Sequence, residues 1–275
     1  MLSLITTCKN RLPHLKQTLP LMLQQPRAEV IVVDYGCDQG TSAWVKEHHP
    51  AATLVHVDDD PVFCAARARN LGAKSASGEV LCFIDADVLL QLEFGKWLEF
   101  NQRPDVYYTY PAHKGPELAG FLIVAHESFL KIGGYDEAIR GWGGEDFDIY
   151  ERLARVGLSN SSVPLDSISP ILHGDELRQL HKDEGGFGSK LETVSMHELY
   201  RAIKRDSWQL TGQEIELEQR KELMSYIALK WEEAIKEAQS SFDVAINVPM
   251  LAEHNVYLKG HRGLSYRVPL RRPRN

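Results

Sequence analysis

Short runs of apolar residues alternate with longer amphipathic segments over the first half of the chain. The runs are rich in β-branched residues, which favours strands, and the segments between them have helical periodicity. The predicted strands are 2–7, 29–34, 52–57, 79–85, 106–110 and 120–126, and the predicted helices are 12–25, 41–49, 64–76 and 91–100. Continuously apolar strands that alternate with helices are typical of a mainly parallel sheet flanked by helices. The pattern therefore predicts a Rossmann-like α/β fold.

Beyond about residue 190 the pattern changes to two long, charged segments with helical periodicity, LETVSMHELYRAIKRD and EIELEQRKELMSYIALKWEEAIKEAQ. We therefore predict a first domain over residues 1–185 and a C-terminal helical extension over residues 186–275. The extension ends in a basic tail, YLKGHRGLSYRVPLRRPRN. A loose, solvated terminus is the simpler interpretation of this tail. The alternative is peripheral contact with an anionic membrane surface or a charged acceptor.

Composition narrows the class of protein. The 275 residues include 31 basic and 38 acidic side chains, and a net charge of −7 argues against a nucleic-acid-binding protein. The four cysteines are scattered without a C-x-x-C pair, which predicts reduced thiols and no zinc site. No signal-like segment precedes the first predicted strand, and no apolar stretch approaches the roughly 20 residues of a membrane span. We therefore expect a cytoplasmic protein, in which any membrane association runs through the basic tail.

Polar residues follow the predicted strands, at the edge of the sheet where ligands bind in such folds. They include Asp85 and Asp87, and strand alternation places these two carboxylates on the same side of the fourth predicted strand. Neighbouring carboxylates repel unless a cation lies beside them. Oxygen ligands suit Mg²⁺ or Mn²⁺, so the pair predicts a metal site. The alternative is that one of the two caps the next helix.

The segment GWGGEDFDIYERL places two glycines directly before Glu145 and Asp146. Helical spacing of apolar residues begins at Asp146, so both carboxylates fall in the first turn or the cap of a helix. A helix N-terminus stabilises a carboxylate by about 0.3–1 kcal/mol, which is less than one pKa unit. We therefore expect Asp146 to stay ionised and basic. The neighbouring Glu145 should act against this, because a second negative charge disfavours the ionised form of Asp146. Taken alone, the segment is more typical of a solvated acidic first turn, and Trp142 alone is more often a core aromatic.

Four segments in order resemble family-two glycosyltransferases of the GT-A fold. LITTCKNR and EVIVVDYGCDQGT are similar to the first two nucleotide-binding strands, and CAARARNLGAKSASGEVLCFIDAD is similar to an A-R-N-x-G helix followed by a D-x-D strand end. GWGGEDFD resembles the acceptor-side motif of β-1,4-galactosyltransferases and chondroitin-type polymerases. The resemblance covers roughly residues 1 to 180. Tyr35 and Cys37 depart from it, because the common pattern has Asp and Ser there.

The resemblance implies a role for each matching residue. Asp34 would contact the base, Arg69 the diphosphate, and Asp85 the ribose or the metal. The predicted metal ligands are Asp87 and His173. Asp146 would be the catalytic base, with Glu145 beside it, and the ring of Trp142 would stack on a sugar. The residues expected near the nucleotide are Thr6, Thr7, Arg11, Asp34, Arg69 and Asp85.

The implied reaction is a metal-dependent transfer of a hexose or N-acetylhexosamine from a nucleotide-diphosphate sugar, with UDP favoured, to a glycan or glycoside hydroxyl. Inversion at the anomeric carbon is expected, because the base lies opposite the leaving group. A sugar nucleotidylyltransferase is disfavoured because TTCKNRLPH has no glycine-rich loop. An aspartyl phosphatase is disfavoured because DADVL follows the fourth strand and lacks the expected hydroxyl residue. A catalytically degenerate protein that binds glycans or acts as a scaffold stays the alternative.

Overall fold

The structure is a computed structural model that describes residues 1–111, 113–172, 190–249 and 261–270. The chain divides into two compact units. The first comprises Met1–Asp136 and Glu145–Gly185, and the second comprises Glu137–Gly144 and Gly186–Asn275. In the described ranges, no helix has both the length and the apolar character needed to cross a membrane.

The first unit is an α/β domain, as the sequence predicts. Its strands are β1 Leu2–Cys8, β2 Ala28–Asp34, β3 Thr53–His56, β4 Val80–Asp85, β5 Val88–Leu90, β6 Val106–Thr109, β7 Leu122–Ala125, β8 Ser159–Ser162 and β9 Ile168–Pro170. Its helices are α1 Leu12–Leu23, α2 Thr41–His48, α3 Ala65–Lys74, α4 Phe94–Asn101, α5 His126–Lys131 and α6 Glu145–Arg155. Each of the six predicted strands corresponds to one of these strands.

The central sheet has the order β3-β2-β1-β4-β7-β6-β8. The pairings of β1 with β2 and β4 are parallel, and β7 runs antiparallel to both β4 and β6. Alternate residues of the strands enter two separate apolar clusters, with Leu4 and Val32 in one and Ile5 and Ile31 in the other. Both faces of the sheet are therefore buried, which explains the continuously apolar strands.

Helix α3 packs closely on the sheet because Gly72 has no side chain. A Cβ atom on Gly72 would lie 2.3 Å from Cγ2 of Ile5 and 3.1 Å from Cγ2 of Val33. This close approach fixes the helix that carries Arg69 relative to β1 and β2.

The carboxyl ends of β1, β2 and β4 meet at one edge of the sheet. Thr7 pairs with Asp85 across β1 and β4, and Cys8 pairs with Asp34 across β1 and β2. The register therefore brings together strand-end residues that are far apart in the chain.

In its described residues, the second unit contains the helices α7 Lys190–Thr211 and α8 Leu217–Lys236 and the antiparallel strands β10 Ser241–Pro249 and β11 His261–Pro269. The helices match the prediction, but residues 261–269, for which the sequence predicts part of a loose tail, form a strand. Phe242 and Val244 on β10 are buried, and Phe242 packs edge-on against Trp231 of α8 at 5.5 Å between ring centroids. This alternating burial stabilises a hairpin where we predicted a loose tail. The three arginines nearest the C-terminus lie outside the described residues.

Candidate functional site

Thr6 and Thr7 lie at the carboxyl end of β1. Thr6 is fully buried, and its Oγ1 atom has no hydrogen-bond partner among the described residues. Thr7 is buried beside Asp85, its partner on β4. Both threonines are therefore at the predicted edge of the sheet, and their contact with a nucleotide stays a prediction.

Asp34 ends β2 and organises the loop that follows. Its Oδ1 accepts a hydrogen bond from the backbone N–H of Cys37 at 2.9 Å, and its Oδ2 accepts one from the hydroxyl of Ser42. Burial alone would raise the pKa of Asp34, but these hydrogen bonds hold it below its usual range. The side chain is only 1% exposed, and in this structure its hydrogen bonds hold the loop that follows β2. Its predicted contact with the base stays a prediction.

Arg11 lies at the start of α1, next to the loop that follows β2. The adjacent Leu12 donates its backbone N–H to Oε1 of Gln39 at 3.0 Å. Cys37 also links the two loops, because its thiol donates to the carbonyl of Cys8 at 3.2 Å and accepts from the N–H of Asn10 at 3.2 Å. The departure from the family pattern at Cys37 is therefore an element of the loop structure.

Arg69 on α3 joins three carboxylates from two other elements. Its Nη2 atom lies 3.2 Å from Oδ1 of Asp85, at the end of β4. Its Nη1 atom lies 3.2 Å from Oε1 of Glu145 and 3.0 Å from Oδ1 of Asp146, in the first turn of α6. The side chain of Arg69 is 5% exposed. The structure thus brings together four of the predicted site residues, and it gives Arg69 carboxylate partners where a diphosphate contact was predicted.

Among the described residues, the charge of this cluster is unbalanced, since one guanidinium faces three carboxylates. Burial, followed by the charge of Glu145, raises the pKa of Asp146 well above its usual value, and Arg69 acts in the opposite direction. The helix dipole alone would leave the pKa of Asp146 near its ordinary value. Burial outweighs the dipole here, because a dipole effect of about 0.3–1 kcal/mol is small beside the desolvation of a carboxylate.

Asp87 lies in the turn between β4 and β5 and is partly exposed. Asp85 and Asp87 supply oxygen ligands of the kind that Mg²⁺ and Mn²⁺ prefer. Within the described ranges, no group of three or more His, Cys, Asp or Glu side chains is arranged to hold a metal ion. The predicted ligand His173 lies outside the described residues. The donor atoms and the excess of negative charge fit a divalent cation at this edge.

Arg67 points away from this cluster, as the helical spacing of Arg67 and Arg69 requires. Its Nη2 atom lies 2.7 Å from Oδ2 of Asp59, and its Nη1 atom lies 3.4 Å from Oδ2 of Asp60. Tyr35 donates its hydroxyl to Asp60 at 2.7 Å. Arg67 and Tyr35 therefore hold the acidic loop after β3.

Gly143 and Gly144 belong to the second unit, with positive φ angles of 76° and 104°. Nδ1 of His197 on α7 donates to the carbonyl of Gly143 at 2.5 Å. A Cβ on Gly144 would lie 2.9 Å from Cβ of His197. Trp142 is in the same unit and is 39% exposed, and its stacking on a sugar stays a prediction. No sequence signal singles out His197, which is far from the motif along the chain.

Two family models match the chain. The model described as glycosyltransferase like family 2 matches residues 6–106. The model described as the N-terminal domain of galactosyltransferase matches residues 102–174. The second match includes Glu145 and Asp146.

Several curated proteins are similar to parts of the chain. Chondroitin sulfate N-acetylgalactosaminyltransferase 2 of Mus musculus is 27% identical over 156 residues, which cover 44% of this chain and 28% of that protein. Beta-1,4-galactosyltransferase 1 of Bos taurus is 26% identical over 172 residues, which cover 58% of this chain and 38% of that protein. The chain therefore spans well under half the length of these relatives.

Solved structures are similar in fold. The crystal structure of GalNAc-T7 with UDP, GalNAc and Mn²⁺ has a TM-score of 0.59 at 13% identity, over 87% of this chain and 58% of that chain. The fold and the two family models together define the class: the chain carries a glycosyltransferase domain of the GT-A fold. The predicted fold and family resemblance are thereby confirmed.

Proposed function

We propose that this chain is a metal-dependent, inverting glycosyltransferase. It moves a hexose or N-acetylhexosamine from a nucleotide-diphosphate sugar to a hydroxyl group of a glycan or glycoside. The observation that carries this proposal is the cluster in which Arg69 joins Asp85 to Glu145 and Asp146. Asp85 lies at the sheet edge where nucleotides bind in α/β folds, and the two α6 residues belong to the acceptor-side motif.

Asp146 accepts the proton of the incoming hydroxyl in this proposal. Its raised pKa makes it a stronger proton acceptor than an ordinary aspartate. Arg69, 3.0 Å away, favours the ionised form from which the residue acts as a base. A base on the face of the sugar opposite the departing diphosphate gives inversion.

Asp85 and Asp87 are the described residues that would hold a divalent cation, Mn²⁺ or Mg²⁺, with His173 as the third predicted ligand. When bound, the cation supplies positive charge to the leaving diphosphate. Arg69 does not supply enough charge for this alone, because three carboxylates already share its guanidinium.

A UDP-sugar is the donor we favour. The two relatives above are named as an N-acetylgalactosaminyltransferase and a galactosyltransferase, and GalNAc-T7 was crystallised with UDP, GalNAc and Mn²⁺. These names support UDP-GalNAc and UDP-Gal as the first donors to test.

The test is calorimetric titration of UDP with and without Mn²⁺, together with a transfer assay that uses UDP-GalNAc and UDP-Gal. Asp87→Ala should abolish the Mn²⁺-dependent part of UDP binding. Asp146→Asn should bind UDP as the wild type does and lose about 10²–10⁴-fold in transfer rate, which is the usual contribution of a general base. Asp105→Asn, which removes an exposed carboxylate, is the control and should change neither property.

Each result has a defined meaning. Equal UDP affinity with and without Mn²⁺ would contradict metal dependence. Full transfer activity in Asp146→Asn would show that Asp146 is not the base. Binding without transfer to any glycan or glycoside would favour the degenerate, glycan-binding alternative.

A further inference from the structure

The ring of Tyr135 lies against the guanidinium of Arg69. The Cζ atom of Arg69 is 5.1 Å from the ring centroid, within the range of a cation–π contact. Tyr135 is 2% exposed, and its ring meets Phe83 edge-on at 5.2 Å between centroids. The ring therefore has little freedom to move, and neither has the guanidinium that rests on it.

The backbone of Tyr135 is fixed by the side chain of the residue after Arg69. Asn70 accepts a hydrogen bond from the N–H of Tyr135 at 2.8 Å and donates one to its carbonyl at 3.0 Å. The preceding residue must be glycine, because Gly134 has φ of 71° and a Cβ there would lie 2.6 Å from Oδ1 of Asn70. Consecutive residues of α3 thus bind the ring and the backbone of one tyrosine.

The backbone of Gly120 also lies close to the guanidinium of Arg69. A Cβ on Gly120 would lie 2.6 Å from Nη2 of Arg69 and 3.0 Å from Oδ2 of Asp85. Both contacts are with side-chain atoms and not with backbone, so a methyl group here would displace the guanidinium of Arg69 from its position against Tyr135 and the carboxylates.

The hydroxyl of Tyr135 has no hydrogen-bond partner among the described residues, although it is buried. A buried hydroxyl without a partner does not stabilise the fold. The contribution of Tyr135 to the cluster therefore comes from its ring.

We propose that Tyr135 is a positioning residue for sugar transfer, whose ring holds the Arg69 guanidinium where it can bind Glu145 and Asp146. This inference rests on the proposed function, since it assigns Tyr135 to the reaction for which Asp146 is the base. Tyr135 acts through Arg69 and does not itself touch the reacting atoms.

The test compares Tyr135→Leu, which removes the ring, with Tyr135→Phe, which keeps it. Tyr135→Leu should misplace Arg69. It should therefore lower kcat by about tenfold to a hundredfold and leave the KM for the nucleotide sugar within twofold of wild type. Tyr135→Phe should keep at least half of the wild-type kcat. Tyr107→Leu is the matched control, because Tyr107 is 6% exposed in the same apolar cluster and stacks on Tyr150. It should lose stability and retain kcat.

A second variant covers the case in which Tyr135→Leu does not fold. Gly120→Ala should displace the same guanidinium and lower kcat in the same way. If Tyr135→Phe falls as far as Tyr135→Leu, or if Gly120→Ala keeps the wild-type kcat, the proposal is wrong.

A thermal double-mutant cycle separates this proposal from the proposed function. If Tyr135 holds Arg69, the loss of Tm in Tyr135→Leu/Arg69→Met should be smaller than the sum of the two single losses. Additive losses would overturn the positioning role, whether or not the wild type transfers sugar. If the losses of Tm are coupled but the wild type does not transfer sugar, the proposed function and the catalytic part of this inference are both refuted.

Discussion

The buried ion pair between Asp148 and Arg152 is a stringent test of how α6 is held. The two side chains lie one turn apart on the helix, are 4% and 3% exposed, and approach to 2.7 Å. Nη1 of Arg152 also donates to the carbonyls of Ile132 at 2.8 Å and Gly134 at 2.6 Å. Arg152→Met keeps the aliphatic stem but leaves a buried carboxylate without its cation and two carbonyls without this donor.

Removing one partner of a buried ion pair typically costs about 3–5 kcal/mol, because the other charge stays buried and uncompensated. For a domain of this size each kcal/mol lowers Tm by about 2–4 °C. We therefore expect the free energy of unfolding to fall by about 3–5 kcal/mol and Tm to fall by roughly 6–20 °C. Urea unfolding followed by circular dichroism, with thermal scans alongside, measures both.

Two comparisons make this result interpretable. Arg103→Met breaks an exposed pair, in which Arg103 and Asp105 are 66% and 58% exposed, and should leave the urea midpoint unchanged. Adding Asp148→Asn to Arg152→Met removes the charge of the buried carboxylate and should recover part of the loss. A loss in Arg152→Met as small as that in Arg103→Met, or a double variant no more stable than Arg152→Met, would contradict this role of the ion pair.

Two further predictions concern the packing of α3 and the charge of Asp146. Gly72→Ala should cost about 1–3 kcal/mol in urea unfolding through overpacking against Ile5, whereas Gly263→Ala, with no atom within 4 Å of its added Cβ, should show no such overpacking loss. Asp146→Asn should raise Tm at pH 7, because the folded state raises the pKa of Asp146 and its ionised form therefore lowers stability above the unfolded pKa of about 3.9. The Tm difference should shrink as the pH falls towards that value, and a lower Tm in the variant at pH 7 would count against the burial argument.

The fold was predictable because its signal is local. Runs such as EVIVVD are too continuously apolar for a half-solvated strand, and they correspond to a sheet buried on both faces. Residues two apart on a helix do not share a face, and the structure accordingly places Arg67 on the acidic loop after β3 and Arg69 in the candidate site. The hairpin in the second unit was missed because the basic residues of its second strand outweighed the alternation in SFDVAINVP.

The candidate site was predictable only in part, because its members differ in how far their partners lie along the chain. The acidic residues of GWGGEDFD look alike in sequence, yet Asp148 binds Arg152 on its own helix while Asp146 binds Arg69, 77 residues away. An Asp-to-Arg spacing of one helical turn could have indicated the first pair. Tyr135 gave no comparable signal, since its ring meets Arg69 only in the folded chain, where Tyr135 packs against α3.

One guanidinium that serves three carboxylates also explains the constraints on the residues around Arg69. Two unit charges 4 Å apart interact by about 4 kcal/mol at an effective dielectric constant of 20, so the carboxylates repel strongly without a shared cation. A lysine would offer a single point charge, whereas the planar fork of an arginine has separate donors for β4 and for α6. The fork reaches both sides only if its plane is fixed, and Tyr135 and Gly120 border that plane. Because these residues come from separate segments, the relation between Asp85 and Asp146 is set by the packing of α3, β4 and α6 and by no single motif.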